Sequence, residues 1–223
     1  IDVHLQQLSN PQGGVTVLTI GKSFEGRDIK CIKISNGGPN NPVLLIEGGT
    51  HAREWISPTT ALYAAQQFIK DRWHSNGIDI YIIPLLNPDG YLYSRTVKRM
   101  WRKNRSNNRR SMCKGVDLNR NFDFVWNHSS QSSNPCAETY AGSGPFSEKE
   151  TQAFRNLISQ LRNRIRVHVT LHSPLSTIMY PWGIGRNRPG NNQTLSCLAQ
   201  RAAAAVASYR NNQYSRGNIQ QVV

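Results

Sequence analysis

The 223-residue chain predicts an α/β fold in which a central twisted mixed β-sheet lies between helices. Two observations predict it, and a third indicates where function lies. Short β-type segments alternate along the chain with helical segments. The segment Pro42–Ile46 is apolar on both faces, as a central strand must be. A polar, loop-rich stretch follows the fourth strand and extends to about Pro145, which is long enough to carry function.

Two segments near the N-terminus, residues 15–20 and 28–34, predict a β-hairpin around Gly26. The second segment alternates between apolar and polar residues, as a half-buried strand does. After the central strand, Ser57 and Pro58 predict a helix that begins with Ser57 as its N-cap and continues to about Asp71.

A further strand is predicted at residues 78–83, and Asn87-Pro88-Asp89-Gly90 after it predicts a turn. Residues 147–150 have the pattern of a capping box, which predicts a helix with Phe154 and Leu157 on its buried face. A strand at 165–172, a short strand at 177–180 and a helix at 193–209 complete the prediction. No linker divides the chain, so residues 1–223 are interpreted as one domain.

Positive charge dominates the composition, with 27 Lys and Arg against 13 Asp and Glu, and a formal net charge of +14. An acidic partner such as sulfated glycan or nucleic acid therefore has to be considered, although no nucleic acid is expected. The densest basic run, residues 98–110, has three interpretations: a polyanion patch, a solvated loop, or a set of substrate anchors. No apolar stretch reaches the roughly 20 residues of a spanning helix, so a soluble protein without a membrane partner is predicted.

The four cysteines, Cys31, Cys113, Cys136 and Cys197, have no C-x-x-C spacing, which favours a disulfide over a thiolate zinc site. Three Asn-x-Ser/Thr sequons begin at Asn104, Asn127 and Asn192 and are compatible with a secreted, extracellular glycoprotein. The first residue is Ile1 rather than Met, so processing or the choice of expressed boundaries is expected to set the N-terminus.

The most informative stretch places His51 and Glu54 three residues apart, directly after the central strand and two glycines. Both residue types are zinc ligands, and a catalytic zinc usually takes three protein ligands. The alternative is an exposed loop with a solvated His and Glu. Sites in open α/β sheets lie at the carboxyl ends of strands, which favours the metal interpretation.

The third ligand should end another strand, and His172 is the best candidate. His168 lies on the same face but roughly 13 Å back along the strand, so it is interpreted as structural. The remaining histidines, His4, His74 and His128, are interpreted as surface residues.

Six segments in order along the chain resemble the successive signatures of the pancreatic-type metallocarboxypeptidases. They are His51–Trp55, Asn87–Tyr91, Met100–Arg105, Gly115–Phe122, Gly144–Glu148 and Leu171–Ser173. The resemblance implies that His51, Glu54 and His172 bind one zinc ion and that Asp117 orients His51.

The same resemblance implies the substrate-binding residues. Asn119 and Arg120 would hold the terminal carboxylate of a peptide, because a guanidinium meets a carboxylate bidentately. Arg105 would be catalytic and would stabilise the oxyanion. Three further residues would bind substrate, with the two arginines in outer subsites: Arg53, Arg102 and Ser173.

The resemblance also implies a disulfide between Cys113 and Cys136, and it leaves the pairing of Cys31 and Cys197 open. Pro174 stands where the family usually has an aromatic residue. The corresponding bond is cis in the family, and because cis is inexpensive before proline, a cis Ser173-Pro174 bond is predicted.

The family's domain extends beyond the equivalent of Val223, so the fold is expected to be incomplete at the C-terminus. The general-base glutamate, the mobile tyrosine and the floor of the specificity pocket have no match in this chain. Residues 219–223 resemble the start of a strand, and a sheet cut there would expose an edge. The remainder is therefore expected as a separate C-terminal fragment or as a segment omitted from the sequence.

The function implied is a zinc-dependent exopeptidase that hydrolyses the C-terminal peptide bond of peptides and proteins, released from a zymogen. The small Gly183 favours aliphatic or aromatic C-terminal residues. The alternative is a non-catalytic zinc-binding or peptide-binding relative, because the general base is missing. Expected partners are a substrate with a free C-terminus, a propeptide or proteinaceous inhibitor, and sulfated glycan.

Overall fold

The computed structural model describes residues 1–72, 76–109, 111–126, 131–184, 187–209 and 212–219. These residues form two compact units, Ile1–His172 and Ser173–Val223. The family signatures fall mostly in the first unit, so it is described first.

A five-stranded mixed sheet is the centre of the first unit. Its strands are β1 (Val15–Lys22), β2 (Asp28–Ile34), β3 (Val43–Glu47), β4 (Asp79–Ile83) and β5 (Ile165–Thr170), in the order β1-β2-β4-β3-β5. β1 with β2 and β2 with β4 are antiparallel, whereas β3 is parallel to both β4 and β5. The predicted mixed α/β sheet and the hairpin are therefore confirmed.

Helices α1 (Asp2–Leu8) and α2 (Ile56–Lys70) pack on one face of this sheet and α4 (Lys149–Leu161) on the other, while α3 (Pro88–Thr96) follows β4 along the chain. Alternate residues of β4 face opposite sides, so Tyr81 and Ile83 pack in the cluster with α4 while Ile80 and Ile82 pack in the cluster with α2. All five residues of β4 are buried, which is the pattern of a central strand.

The N-cap prediction at Ser57 is wrong. α2 begins at Ile56 with Trp55 as its N-cap, and Ser57 is a buried residue inside the helix. Its hydroxyl accepts a hydrogen bond from the Gly49 N–H at 2.8 Å and donates one to the Leu171 carbonyl at 2.6 Å. Tertiary partners have replaced the local capping bond, and Ser57 instead ties the loop after β3 to the end of β5.

The turn predicted at Asn87-Pro88-Asp89-Gly90 is the start of α3. The Asn87 side chain accepts from the Gly90 N–H at 2.9 Å, and Pro88 occupies the first turn, where its missing N–H costs nothing. The predicted capping box before α4 is also absent. Glu148 is the N-cap residue without a side-chain cap bond, and the Ser147 hydroxyl donates to the Glu148 carboxylate at 2.8 Å.

Asn104 joins the long loop to α4 through a buried polar cluster. Its amide donates to Glu148 at 2.7 Å and to Glu150 at 3.1 Å, and its carbonyl oxygen accepts from the Val116 N–H at 2.8 Å. Asn104 is completely buried, so the sequon that begins there is not accessible for glycosylation in the folded chain. The sequon at Asn127 lies outside the described residues.

In the second unit, β6 (Thr177–Tyr180) pairs in parallel with β7 (Ser215–Asn218), and α5 (Asn192–Ser208) connects them. β7 was not predicted, because its sequence carries little apolar alternation. The strand predicted from Ile219 onward falls almost entirely on residues that the structure does not describe. The cis Ser173-Pro174 bond is confirmed, and Pro181-Trp182 is also cis.

Within the described parts of the chain, no helix is both long and apolar enough to cross a membrane.

Glu150 gives a testable pH dependence of stability. Burial raises the pKa of Glu150 from an ordinary value near 4.5 to about 7, although the Phe24 N–H and Asn104 donate to it. The folded state holds this proton more tightly than the unfolded state does. The protonated carboxyl group therefore contributes its full stabilisation below about pH 4.5, and this stabilisation is lost as the pH rises through about 7. Between pH 5 and pH 8, the free energy of unfolding measured with urea should fall by about 2–3 kcal/mol less in Glu150→Gln than in the wild type. An unchanged pH dependence in the variant would contradict the assignment.

Candidate active site

Two parallel strands bring the predicted metal ligands together. His51 and Glu54 lie in the loop after β3, and His172 follows β5 by two residues. β3 and β5 are neighbours in register, with Glu47 opposite Thr170, so both chains leave the sheet at the same edge. Side chains 118 residues apart in sequence therefore converge, as expected at the carboxyl ends of parallel strands.

The three side chains form a compact ligand cluster. The His51 Nδ1 lies 2.7 Å from Glu54 Oε1, and the His172 Nδ1 lies 3.0 Å from Glu54 Oε2. The two Nδ1 atoms are 3.1 Å apart, and one donor atom from each residue falls within 4.8 Å of the others. His51 and Glu54 are buried, whereas the His172 side chain is 25% exposed, which leaves one open side.

This geometry and donor set fit zinc. Tetrahedral Zn–N bonds of 2.0–2.1 Å place two ligand nitrogens roughly 3.3 Å apart, close to the separation seen here. Two imidazole nitrogens facing each other at such a distance need a shared proton or cation between them. Two imidazoles and one carboxylate also make the three-ligand set of a catalytic zinc site.

Polar partners fix the outer nitrogens of both imidazoles. The His51 Nε2 is 3.2 Å from Asp117 Oδ1, and the His172 Nε2 is 3.0 Å from the Thr170 hydroxyl. Both contacts direct Nδ1 to the ligand cluster, as such partners of metal-binding histidines generally do. Thr170 was missed in the sequence, although its position two residues before His172, on the same face of the strand, could have indicated it.

Arg102 connects Asp117 to the ligands. Its Nε and Nη2 donate to Asp117 Oδ2 at 3.1 and 2.9 Å, and its Nη1 lies 3.9 Å from Glu54 Oε1. Burial opposes ionisation of Asp117, but hydrogen bonding to His51 and the nearby charges of His51 and Arg102 lower its pKa. Burial likewise opposes ionisation of Glu54, and its hydrogen bonds to His172 and His51 lower its pKa. Both carboxylates are therefore charged and suited to hold a cation.

Glu47, at the end of β3, is a second buried carboxyl group near the ligands. Burial raises its pKa, and the Thr50 hydroxyl hydrogen-bonds to it. Sequence patterns gave no indication of this group, because it continues a buried strand.

Asn119 and Arg120 follow Asp117 in a short 3-10 helix, Leu118–Arg120. Asp117 caps this helix by accepting from the Asn119 N–H at 3.0 Å, so the same carboxylate positions His51 and the two residues expected to hold the substrate. Asn119 is exposed. The Nε of Arg120 is buried and has no hydrogen-bond partner among the described residues, which leaves a cationic donor available for a carboxylate.

The other two predicted arginines lie in different surroundings. Arg53 pairs with Glu138 at 3.0 Å. The guanidinium of Arg105 stacks 3.6 Å from the centre of the Tyr93 ring and 4.8 Å from that of Trp101. Arg102 has its guanidinium beside a candidate ligand, whereas the Arg105 guanidinium lies on aromatic rings. Both arginines belong to one basic motif, and only the path of the loop separates them.

The remaining predicted residues are placed as follows. The disulfide between Cys113 and Cys136 is confirmed, while Cys31 is buried and Cys197 exposed as free thiols. The His168 ring packs 5.5 Å from that of Phe154, and His4 hydrogen-bonds to Gln66 at 3.0 Å. His74 and His128 lie outside the described residues. Ser173 begins the second unit.

Comparison with known proteins identifies the family. The zinc carboxypeptidase family matches residues 1–222, so the chain belongs to the zinc carboxypeptidases. Zinc is the metal of this family, and His51, Glu54 and His172 can form its site.

Individual relatives agree with this assignment. The chain is 40% identical to a carboxypeptidase B of Astacus astacus, over 91% of this chain and 69% of the relative, and 37% identical to a carboxypeptidase A2 of Mus musculus, over 96% and 52%. A crystal structure of carboxypeptidase A from Helicoverpa armigera is similar, with a TM-score of 0.92 and 36% identity over 100% of this chain and 57% of that one. The chain thus spans between about half and two thirds of these proteins.

A substitution at Asp117 tests the zinc site directly. Asp117→Ala removes the acceptor that orients His51, so we expect zinc affinity to fall about 10–100-fold in competition with a chromophoric chelator. Asp123→Ala, at an exposed position six residues on, is the matched control and should leave the affinity unchanged. Equal affinity of the two variants would show that Asp117 does not orient a zinc ligand.

Proposed function

We propose that this chain carries most of the active site of a zinc-dependent exopeptidase that removes C-terminal residues from peptides and proteins. The observation that carries the proposal is the ligand cluster of His51, Glu54 and His172, with Arg102, Asn119 and Arg120 arranged around Asp117. Zinc held by this cluster would polarise the scissile carbonyl and acidify a bound water. The family match spans both compact units, which supports their interpretation as parts of one catalytic domain.

Arg105 is proposed to stabilise the oxyanion, and its stacking on the Tyr93 ring leaves the edge donors of its guanidinium available. Arg102 is proposed to line an outer subsite, with its guanidinium held by Asp117 and its Nη1 3.9 Å from Glu54. Arg53 remains a proposed outer-subsite residue, since its ion pair with Glu138 is exposed and can exchange for substrate. Ser173 also remains a proposed substrate-binding residue.

Arg120 and Asn119 are proposed to bind the terminal carboxylate of the substrate. The Nε of Arg120 is a buried donor without a hydrogen-bond partner in the described chain. A substrate carboxylate could accept one hydrogen bond from this Nε and a second from one of the Nη atoms of the same guanidinium. An exopeptidase requires such an anchor, because it must distinguish the end of a chain from its interior.

For the side-chain preference, we propose aliphatic or aromatic C-terminal residues. Gly183 lies against Ile219, and a Cβ at Gly183 would come 3.1 Å from the Ile219 side chain, so this position accepts no larger residue without movement. Relatives named both carboxypeptidase A2 and carboxypeptidase B occur, and turnover of peptides ending in Phe, Leu, Arg and Lys decides between them.

Several wider features are proposed with the activity. The general base is expected on a segment beyond this chain, in the same polypeptide or as a second chain, so turnover is expected when that segment is present. The Cys113–Cys136 disulfide supports the proposal that the protein is secreted, because disulfides persist in oxidising compartments. We also propose that the protein is released from a zymogen by removal of a propeptide. A proteinaceous inhibitor is a proposed partner, since a similar structure is bovine thrombin-activatable fibrinolysis inhibitor in complex with tick carboxypeptidase inhibitor, with a TM-score of 0.89.

A matched pair of substrates tests the exopeptidase proposal. The protein, together with the segment that supplies the base, should hydrolyse a peptide with a free C-terminus and leave the same peptide as a C-terminal amide intact. Chelation of the metal should abolish turnover, and added zinc should restore it. Bound zinc without turnover of either peptide would instead favour the non-catalytic zinc-binding or peptide-binding alternative.

The anchor residue makes a separate prediction. Arg120→Gln should lower kcat/KM for the free peptide by about 100-fold or more, because the substrate carboxylate loses its charged partner. Arg162→Gln removes an exposed arginine at the end of α4 and should have no effect. A wild-type value in Arg120→Gln would assign carboxylate binding to another residue.

A further inference from the structure

Glu47 is a buried carboxyl group to which the proposed peptidase activity gives no role. It ends β3, its exposed fraction is 5%, and it lies opposite Thr170 in the parallel pairing of β3 with β5. Paired residues on neighbouring strands lie about 4.8 Å apart and direct their side chains to the same face of the sheet. The Glu47 side chain therefore lies beside the strand that leads to His172.

Two threonine hydroxyl groups hydrogen-bond to the Glu47 carboxyl group. The Thr50 hydroxyl donates to Oε1, and Thr50 is itself buried. The Thr170 hydroxyl forms the second bond. Burial raises the pKa of Glu47, and the bond from Thr170 opposes this effect, as a donor to a carboxylate does. Both hydroxyl groups thus act as donors to the carboxylate form of Glu47.

The Thr170 hydroxyl also contacts a candidate zinc ligand. Its oxygen lies 3.0 Å from the His172 Nε2, the ring nitrogen that faces away from Glu54. Thr170 precedes His172 by two residues and so shares its face of the strand. Glu47, Thr170 and His172 therefore form one continuous row, which we call the Glu47 hydrogen-bond chain.

Counting protons gives this chain a direction. A neutral imidazole that binds a metal through Nδ1 carries its proton on Nε2, and that N–H then donates to the Thr170 oxygen. The single hydroxyl proton of Thr170 must therefore go to another acceptor, and the Glu47 carboxylate supplies it. Thr170 is exposed, so without this acceptor its hydroxyl could turn and donate to Nε2. The ring proton would then lie on Nδ1, where it blocks the metal.

We propose that Glu47 is a positioning residue for the zinc site: through Thr170 it holds His172 in the tautomer whose Nδ1 can bind the metal. This inference rests on the zinc site of the proposed function. It gives His172 the counterpart of Asp117, whose carboxylate contacts the Nε2 of His51 directly. A cation at the ligand cluster would in turn favour the charged form of a nearby carboxyl group.

The test compares zinc affinities of the full chain and its variants in competition with a chromophoric chelator. Glu47→Gln introduces an amide that can itself donate to Thr170, and Thr170→Val removes the hydroxyl. Each change should lower the zinc affinity about tenfold. Thr170→Ser keeps the hydroxyl and should bind zinc like the wild type. The double variant Glu47→Gln/Thr170→Val should also lose about tenfold rather than about a hundredfold, because the two residues act in series.

A matched control separates positioning from a general loss of stability. Glu150 is another buried carboxyl group, but it hydrogen-bonds to the Phe24 N–H and to Asn104, outside the Glu47 hydrogen-bond chain. Glu150→Gln should therefore leave the zinc affinity unchanged.

Three results would overturn the inference. Additive losses in the double variant would mean that Glu47 and Thr170 act independently. Equal weakening by Thr170→Ser and Thr170→Val would mean that the hydroxyl is not what matters, and equal weakening by Glu150→Gln would assign the effect to stability.

Turnover of the free peptide, measured alongside, keeps this inference apart from the proposed function. Zinc binding that weakens as expected in the variants, with no turnover in the wild type, would support the role of Glu47 and contradict the peptidase proposal. Turnover in the wild type, with unchanged zinc affinity in Glu47→Gln, would do the reverse.

Discussion

The parallel pairing of β3 with β5 is the constraint on which the site depends. It brings the ends of two strands, far apart in sequence, to the same edge of the sheet, and the hydroxyl of Ser57 then links the Gly49 N–H to the Leu171 carbonyl. A change in register by one residue would turn His172 to the opposite face and separate it from Glu54. The convergence of the candidate zinc ligands is therefore a consequence of strand pairing as much as of the residues themselves.

Asp117 is the second point of convergence. One oxygen of its carboxylate contacts His51 and caps the 3-10 helix that carries Asn119 and Arg120, while the other accepts from Arg102. Because a single buried anion contacts the candidate zinc ligand His51, Arg102 and the helix that carries the proposed carboxylate anchor, these parts cannot shift independently. The loop that contains it is held in turn by Asn104 and by the Cys113–Cys136 disulfide.

The positive charge of the chain serves different purposes at different positions. Arg102 is paired with Asp117 and lies beside a candidate ligand, whereas Arg105 lies on the rings of Tyr93 and Trp101, although only two residues lie between them. This separation explains why the dense basic motif could not be divided between substrate binding and other roles by spacing alone.

The sequence by itself determined the mixed α/β class, the positions of most strands and helices and the disulfide, and it indicated the three candidate ligand residues. Apolar periodicity and the order of the motifs can be read along the chain without knowledge of the fold. The tertiary structure decided what depends on distant partners. It moved Ser57 from a cap to a link between strand ends, and it placed Arg102 between Asp117 and Glu54. It also supplied Thr170 as the partner of His172. Hydrogen bonds and ion pairs of this kind form between segments whose proximity no local pattern encodes.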